Sequence, residues 1–217
     1  VSKIWITGAT GAIGTACRFV LDNSVVDHEI YADDVDVRWA QTILKFLRDK
    51  EPATLVYAAG YNHLDWSWEV DLECVRHAYD VNVVGLLRCI QMCDSLNQVV
   101  VIGSDAARRP MRTSVAYNAS KAALEAAVKV IARERAREGF VINIVAPGLV
   151  KEGNMTQYVY TRTQVLRPEV DLQKYMLAQI PAGRAAYALE VASVVQWLVE
   201  GAPSYLNGAV IDVNGAR

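Results

Sequence analysis

The sequence lacks any long hydrophobic run. No apolar stretch reaches the roughly 20 residues a bilayer-spanning helix needs, and no basic–apolar–small leader pattern opens the chain. The expectation is therefore no membrane partner and a cytoplasmic protein. An excess of either charge is also missing. The 22 Lys and Arg stand scattered against 24 Asp and Glu, for a formal net charge of −2. That leaves no basic field to recruit nucleic acid. Cysteine is scarce, at 4 residues. Cys17, Cys74, Cys89 and Cys93 fall inside helical patterns, which reads as reduced thiols rather than a disulfide frame. Cys89 and Cys93 lie one helical turn apart, yet no His or second Cys pair completes a ligand set, so no metal site is expected. There is no internal repeat, low-complexity tract or polar linker. With 217 residues, 53% of them apolar, a single domain over 1–217 is the expectation.

What is present is alternation. Short Val/Ile-rich runs at 3–7, 29–32, 53–59, 98–103, 140–145 and 208–213 are separated by helical patterns near 12–22, 38–50, 73–95, 115–138 and 188–200. Continuous apolar strands alternating with helices predict an α/β doubly wound parallel sheet, six or seven strands wide, with helices on both faces. The segment 147–187, with Pro147, Pro168 and Pro181, separates regular elements by more than a compact fold tolerates without reason. It is expected to be a substrate flap carrying a helix near 169–178; a decorated surface loop is the alternative.

The first strand runs into Gly8-Ala9-Thr10-Gly11-Ala12-Ile13-Gly14 and then into a helix. Glycines in that strand–turn–helix context let backbone N–H groups approach a pyrophosphate at a helix N-terminus, which predicts a Rossmann-type dinucleotide site. About twenty residues on, Asp33 ends the second strand. A carboxylate there hydrogen-bonds the adenosine ribose hydroxyls and repels a 2′-phosphate, which favours NAD over NADP without excluding the latter. Asp34 takes that place if the strand ends one residue later, and Asp36 is placed to approach the adenine. Three solvated turn carboxylates are the bland alternative.

Further along, Tyr117 and Lys121 stand four apart at the start of a helix, on one face. Together with 7–14, Ala58-Ala59-Gly60, Asn82, Ser104, Ala146-Pro147-Gly148, 180–184 and 205–215, they make the chain resemble the short-chain dehydrogenase/reductase family over essentially its whole length. The resemblance implies an NAD(P)-dependent oxidoreductase that moves hydride between nicotinamide and a carbonyl or secondary-alcohol carbon of a small molecule. It assigns Tyr117 as general acid/base and Lys121 as its tuner and the holder of the nicotinamide ribose. Ser104 would polarise the substrate oxygen, and Asn82 would hold a water that relays protons to Lys121. Cofactor contacts would come from Gly8 to Gly14 (Thr10, Ala12 and Ile13 included), Asp33, Asp36, Ala58, Ala59, Gly60, Pro147, Gly148 and Val150. A nearby ammonium pulls a phenol from its usual pKa near 10 toward working pH. The family also implies a homodimer or homotetramer.

Departures from the family pattern are specific. Gly11 and Ala12 give the glycine turn the spacing of the extended branch, and the stretch between Gly14 and Gly60 is short for a full third strand. Tyr57 and Ala58 replace the usual polar pair. Lys151 and Glu152 stand where a threonine usually follows Pro147-Gly148, with Thr156 further on. Two other readings therefore stay open: a shortened sugar-nucleotide epimerase or reductase, and a non-catalytic dinucleotide-sensing protein.

Overall fold

The computed structural model describes residues 1–217. In chain order the elements are β1 (Ser2–Thr7), α1 (Ala12–Asp22), β2 (His28–Asp33), α2 (Ala40–Leu47), β3 (Thr54–Tyr57) and α3 (Leu72–Tyr79). Then follow α4 (Gly85–Gln91), β4 (Gln98–Ile102), α5 (Val115–Arg135) and β5 (Val141–Pro147). The last are α6 (Asn154–Leu166), α7 (Leu172–Ala178), α8 (Ala188–Glu200) and β6 (Val210–Val213). The six strands form one parallel sheet in the order β2-β1-β3-β4-β5-β6.

Both faces of that sheet are buried, as parallel strands with crossover helices require. Trp5, Leu55, Tyr57, Val99 and Val101 point into one core with Ile43, Leu86, Leu124 and Val128 of the helices. Their strand neighbours Ile4, Ile6, Val56, Val100 and Ile102 point into the other, against Cys17 and Leu21 of α1 and Val191 and Val195 of α8. The period of two in the strands thus sorts one apolar run into two cores. Truncating any of these large side chains to Ala would cost about 2–5 kcal/mol.

Strand order reverses between β1 and β3. From β1 the chain steps outward to β2, then crosses back through α2 to β3 on the other side. Ligands of open α/β sheets bind at such a switch point, beyond the C-terminal strand ends. The short stretch after Gly14 has a direct result: only β2 lies outside β1, and no further strand covers it.

The predicted helix over 73–95 is interrupted. Between α3 and α4, Asp80–Val84 form a π turn, the wider winding that recurs at functional sites. The phenol of Tyr57 donates a hydrogen bond to the Val81 carbonyl within it. Tyr57, the departure noted at the end of β3, is therefore a fully buried prop for that turn. The long segment after β5 holds two helices, α6 and α7, where periodicity indicated one near 169–178. α6 escaped notice because it presents a weak apolar stripe: only Val159 and Thr163 of its residues are buried. No helix is long and apolar enough to cross a membrane.

Candidate active site

One cavity of about 940 Å³ runs along the C-terminal ends of the strands. Its walls include Gly8, Thr10, Gly11, Ala12, Ile13 and Gly14 at one end and Ser104, Tyr117 and Lys121 at the other. Ala58, Gly60, Pro147, Gly148 and Val150 also line it. Asp33, Asp36, Ala59 and Asn82 do not.

The glycine turn is built for close approach. Gly8 has φ +64°, and a Cβ there would lie 2.7 Å from the Ala58 carbonyl carbon across the switch point. No side chain with a Cβ fits. Gly11 caps α1 without any side-chain hydrogen bond, and no acidic residue occupies the first turn. The first N–H groups of α1 are thus free for an anion. Ala12, the departure from the usual glycine spacing, meets its match in the segment after β5. Gly153, at φ +104°, sits where a Cβ would be 2.9 Å from the Ala12 Cβ. The space saved by a glycine in the turn elsewhere is here saved on the strand-5 side.

Beyond the turn, Asp34 rather than Asp33 reaches back. Its Oδ1 accepts from the Thr10 backbone N–H at 3.2 Å, and Oδ2 accepts from the Thr10 hydroxyl. The Asp33 carboxylate instead accepts from the Asp34 N–H at 2.7 Å. Asp36 is committed to Arg38, with Nε at 2.9 Å and Nη2 at 2.7 Å, and that hydrogen-bonded guanidinium holds its carboxyl below the usual range.

At the reaction end, Tyr117 and Lys121 are 8% and 3% exposed, although helical periodicity alone would allow a solvated face. The Lys121 ammonium donates to the Ile102 carbonyl at 2.9 Å and stands 5.8 Å from the centre of the Tyr117 ring. Burial lowers the Lys121 pKa to about 8, because the low-dielectric interior penalises the ammonium. Burial raises the Tyr117 phenol, a hydrogen bond with Ser104 pulls it down, and the Asp105 charge adds to the rise. Ser104 comes straight off the end of β4, and its Oγ accepts from the Ala106 N–H at 3.2 Å.

Asn82 lies behind this set. Its Nδ2 donates to the Tyr61 carbonyl at 2.9 Å and to the Ser120 hydroxyl at 2.8 Å, and its Oδ1 accepts from the Tyr61 N–H at 2.8 Å. The Asn82 carboxamide is a clamp that fixes the chain after Gly60 against α5. A Cβ placed on Gly60 would be 3.8 Å from the Lys121 Nζ and 3.7 Å from the Asn82 Oδ1, so the clamp borders the ammonium directly.

Several lining residues were set aside or not singled out from the sequence. Thr156, which looked too far from Pro147-Gly148, is brought back by the first turn of α6: its hydroxyl donates to the Val150 carbonyl at 2.8 Å, and it lines the cavity. Met111, Met155 and Met176 add apolar wall. Their signal was weak because Met carries no pattern of its own. Asp105 and Arg217 also face the cavity. Trp66 and Trp68 stack on each other with ring centroids 5.0 Å apart, outside its lining. Arg162 reaches over to Asp65 at 3.1 Å and Arg184 to Glu190 at 2.7 Å.

Known proteins resemble this chain in sequence and fold. A family model described as enoyl-(acyl carrier protein) reductase matches residues 39–215. The chain is 36% identical over 167 residues to 2,3-dihydroxy-2,3-dihydro-p-cumate dehydrogenase of Pseudomonas putida, which covers 74% of this chain and 62% of that protein. It is 30% identical over 187 residues to the vibriobactin-specific 2,3-dihydro-2,3-dihydroxybenzoate dehydrogenase of Vibrio cholerae, covering 82% of this chain and 68% of that one. A variant of actinorhodin polyketide ketoreductase, solved with NADPH, superposes with a TM-score of 0.88 at 21% identity, over 99% of this chain and 96% of its own. The chain belongs to the short-chain dehydrogenase/reductase family, and its sheet is of the Rossmann type. It spans less than two thirds of the length of the p-cumate relative.

Proposed function

We propose that the protein is an NAD(H)-dependent oxidoreductase that interconverts a secondary alcohol and a carbonyl on a small molecule. The observation that carries this reading is the burial of Tyr117, Lys121 and Ser104 along one cavity that continues to the glycine turn. A bound nicotinamide supplies or accepts the hydride. The chain's own residues do the rest. Ser104 holds the substrate oxygen, and the Tyr117 hydroxyl gives that oxygen its proton in reduction and takes it in oxidation. Lys121 keeps an ammonium beside the phenol, which favours the phenolate, and Asn82 fixes the wall on which Lys121 rests.

The Asp34 carboxylate, joined to Thr10 of the glycine turn, supports NAD over NADP, since a second phosphate beside it meets like charge. The segment 147–187 acts as the substrate flap, and 1–217 as one catalytic unit. Exposed Leu72, Tyr79, Val115 and Val130 on α3 and α5 support assembly of two or four copies through those helices. Four free thiols, three of them buried, support a reducing, cytoplasmic setting.

The test is a carbonyl and alcohol panel followed by NADH absorbance, with deuterium at C4 of the reduced cofactor. Deuterium appearing on the carbinol carbon of product is the expected result. Cofactor binding with no transfer to any panel member would favour the dinucleotide-sensing reading instead.

A further inference from the structure

By its own composition α6 is a poor helix. Thr156, Val159, Thr161, Thr163 and Val165 are β-branched, Gly153 caps the start with no side-chain hydrogen bond, and only Val159 and Thr163 are buried. A 13-residue helix with so little apolar anchorage is marginal in water. Polar contacts must therefore do much of the work of holding it against the body.

Those contacts converge on one peptide. Leu64, in the loop between β3 and α3, is 1% exposed, and neither its N–H nor its C=O has a backbone partner. The Tyr158 hydroxyl of α6 accepts from the Leu64 N–H at 3.2 Å, and Arg162 Nε donates to the Leu64 carbonyl at 3.2 Å. Arg162 Nη2 donates in addition to Oδ2 of Asp65 at 3.1 Å. Peptide groups removed from water require such partners, and a guanidinium fork spans a carbonyl and a carboxylate at once. Tyr158 and Arg162 stand four apart, and Met155 and Val159 of the cavity wall share their side of the helix.

The loop they grip is tied to the helix of Tyr117. The Asp65 N–H donates to the Thr113 carbonyl at 2.8 Å, and Asp65 forms a bridge with Ser114, the residue that starts α5. The Ser114 hydroxyl donates to Oδ1 of Asn62 at 3.2 Å. Thr113 holds φ +62°, a conformation a β-branched residue keeps only where its surroundings impose it. The root of the flap is fastened separately. Lys151 N–H donates to the Ala186 carbonyl at 2.8 Å, and Ala186 N–H to the Leu149 carbonyl at 2.9 Å.

We propose that Tyr158 and Arg162 are positioning residues that clasp α6 to the loop after β3, and so set the apolar wall of Met155 and Val159 in register with the helix that carries Tyr117. The clasp deepens the redox reading and rests on it only for its kinetic readout.

The test is hydrogen–deuterium exchange of the α6 amides, read by mass spectrometry on the full chain, with the α8 amides as internal reference. Loss of a hydrogen bond to a charged group corresponds to exchange about tenfold to a hundredfold faster in α6 of Arg162→Met, with α8 unchanged. Arg162→Lys, whose single ammonium reaches one acceptor instead of two, should restore part of the protection. Unchanged α6 exchange in Arg162→Met, or acceleration equal in α6 and α8, overturns the proposal. In steady-state kinetics with the panel member turned over fastest, Arg162→Met should raise KM about tenfold with kcat within about twofold, because a wall that loosens removes binding from ground and transition state alike. A fall in kcat at constant KM also overturns it. If no panel member is turned over, the redox reading fails and the exchange data alone decide the clasp.

Discussion

The two ends of the cavity are built on opposite plans. At the reaction end, Ser104, Tyr117 and Lys121 are buried, held between β4, α5 and the Asn82 clamp, and tuned by desolvation. At the adenosine end, β2 is the border of the sheet, and Asp33 and Asp34 are exposed. Buried groups get their properties from the interior, which changes little from one medium to the next. Exposed groups act through water. The function proposed above thus puts chemistry where packing can fix it, and cofactor choice where it cannot.

The largest effect expected at the reaction end is that of Tyr117→Phe. Removing the one hydroxyl placed to exchange the proton should lower kcat by about 10²–10⁴-fold while NADH affinity, measured by fluorescence titration, changes less than about twofold. Turnover close to that of the unmodified protein would break the contrast between the two ends. Gly8→Val tests the other end from its rigid part. With φ +64° and the Ala58 backbone 2.7 Å from any Cβ, cofactor affinity should fall by about a hundredfold or more, the cost of a strained conformation and a displaced turn. Dinucleotide titration by calorimetry reads this directly.

Lys121→Met gives an intermediate effect with a definite sign. Burial depresses the Lys121 pKa to about 8, so between there and the ordinary value near 10.4 the unfolded chain binds more protons than the folded one. Stability of the unmodified protein relative to Lys121→Met should therefore be constant below about pH 8 and rise by about 2 kcal/mol toward pH 10. Urea melts at the two ends of that range measure it; a flat difference would mean that the ammonium is better solvated than its surroundings indicate. The smallest effect belongs to the exposed end. Asp34→Ala should change the NAD-to-NADP preference by about fivefold to tenfold in favour of NADP, as loss of one exposed charge implies, with kcat almost unchanged. Steady-state kinetics with both cofactors would show it.

The contrast also explains what could be read from the sequence. β1, β3, β4 and β5 were visible because both-face burial writes continuous apolar runs, the border strands β2 and β6 through their place in the alternation with helices, and the glycine turn because Gly8 answers a steric demand that no other residue meets. Tyr117, Lys121 and Ser104 were legible through spacing and family resemblance. Asn82 was legible as a position, while the partners of its carboxamide, Tyr61 and Ser120, are set by long-range folding. Asp34 emerged over Asp33 because a one-residue difference in where β2 ends decides which carboxylate faces Thr10, and strand ends are poorly marked. α6, the return of Thr156 to Val150, and the match of Gly153 to Ala12 depend on tertiary contacts with no local signature.

If Asp34 selects the cofactor as proposed, the open border at β2 ties that choice to the surrounding electrolyte. The Debye length is about 8 Å at physiological ionic strength and about 3 Å in molar salt. The repulsion of Asp34 toward an additional phosphate therefore fades as counterions crowd that edge, whereas the sealed phenol–ammonium pair is shielded from them. On the proposed reading, discrimination between the two dinucleotides is a joint property of the fold and the medium, and the proton chemistry belongs to the fold alone.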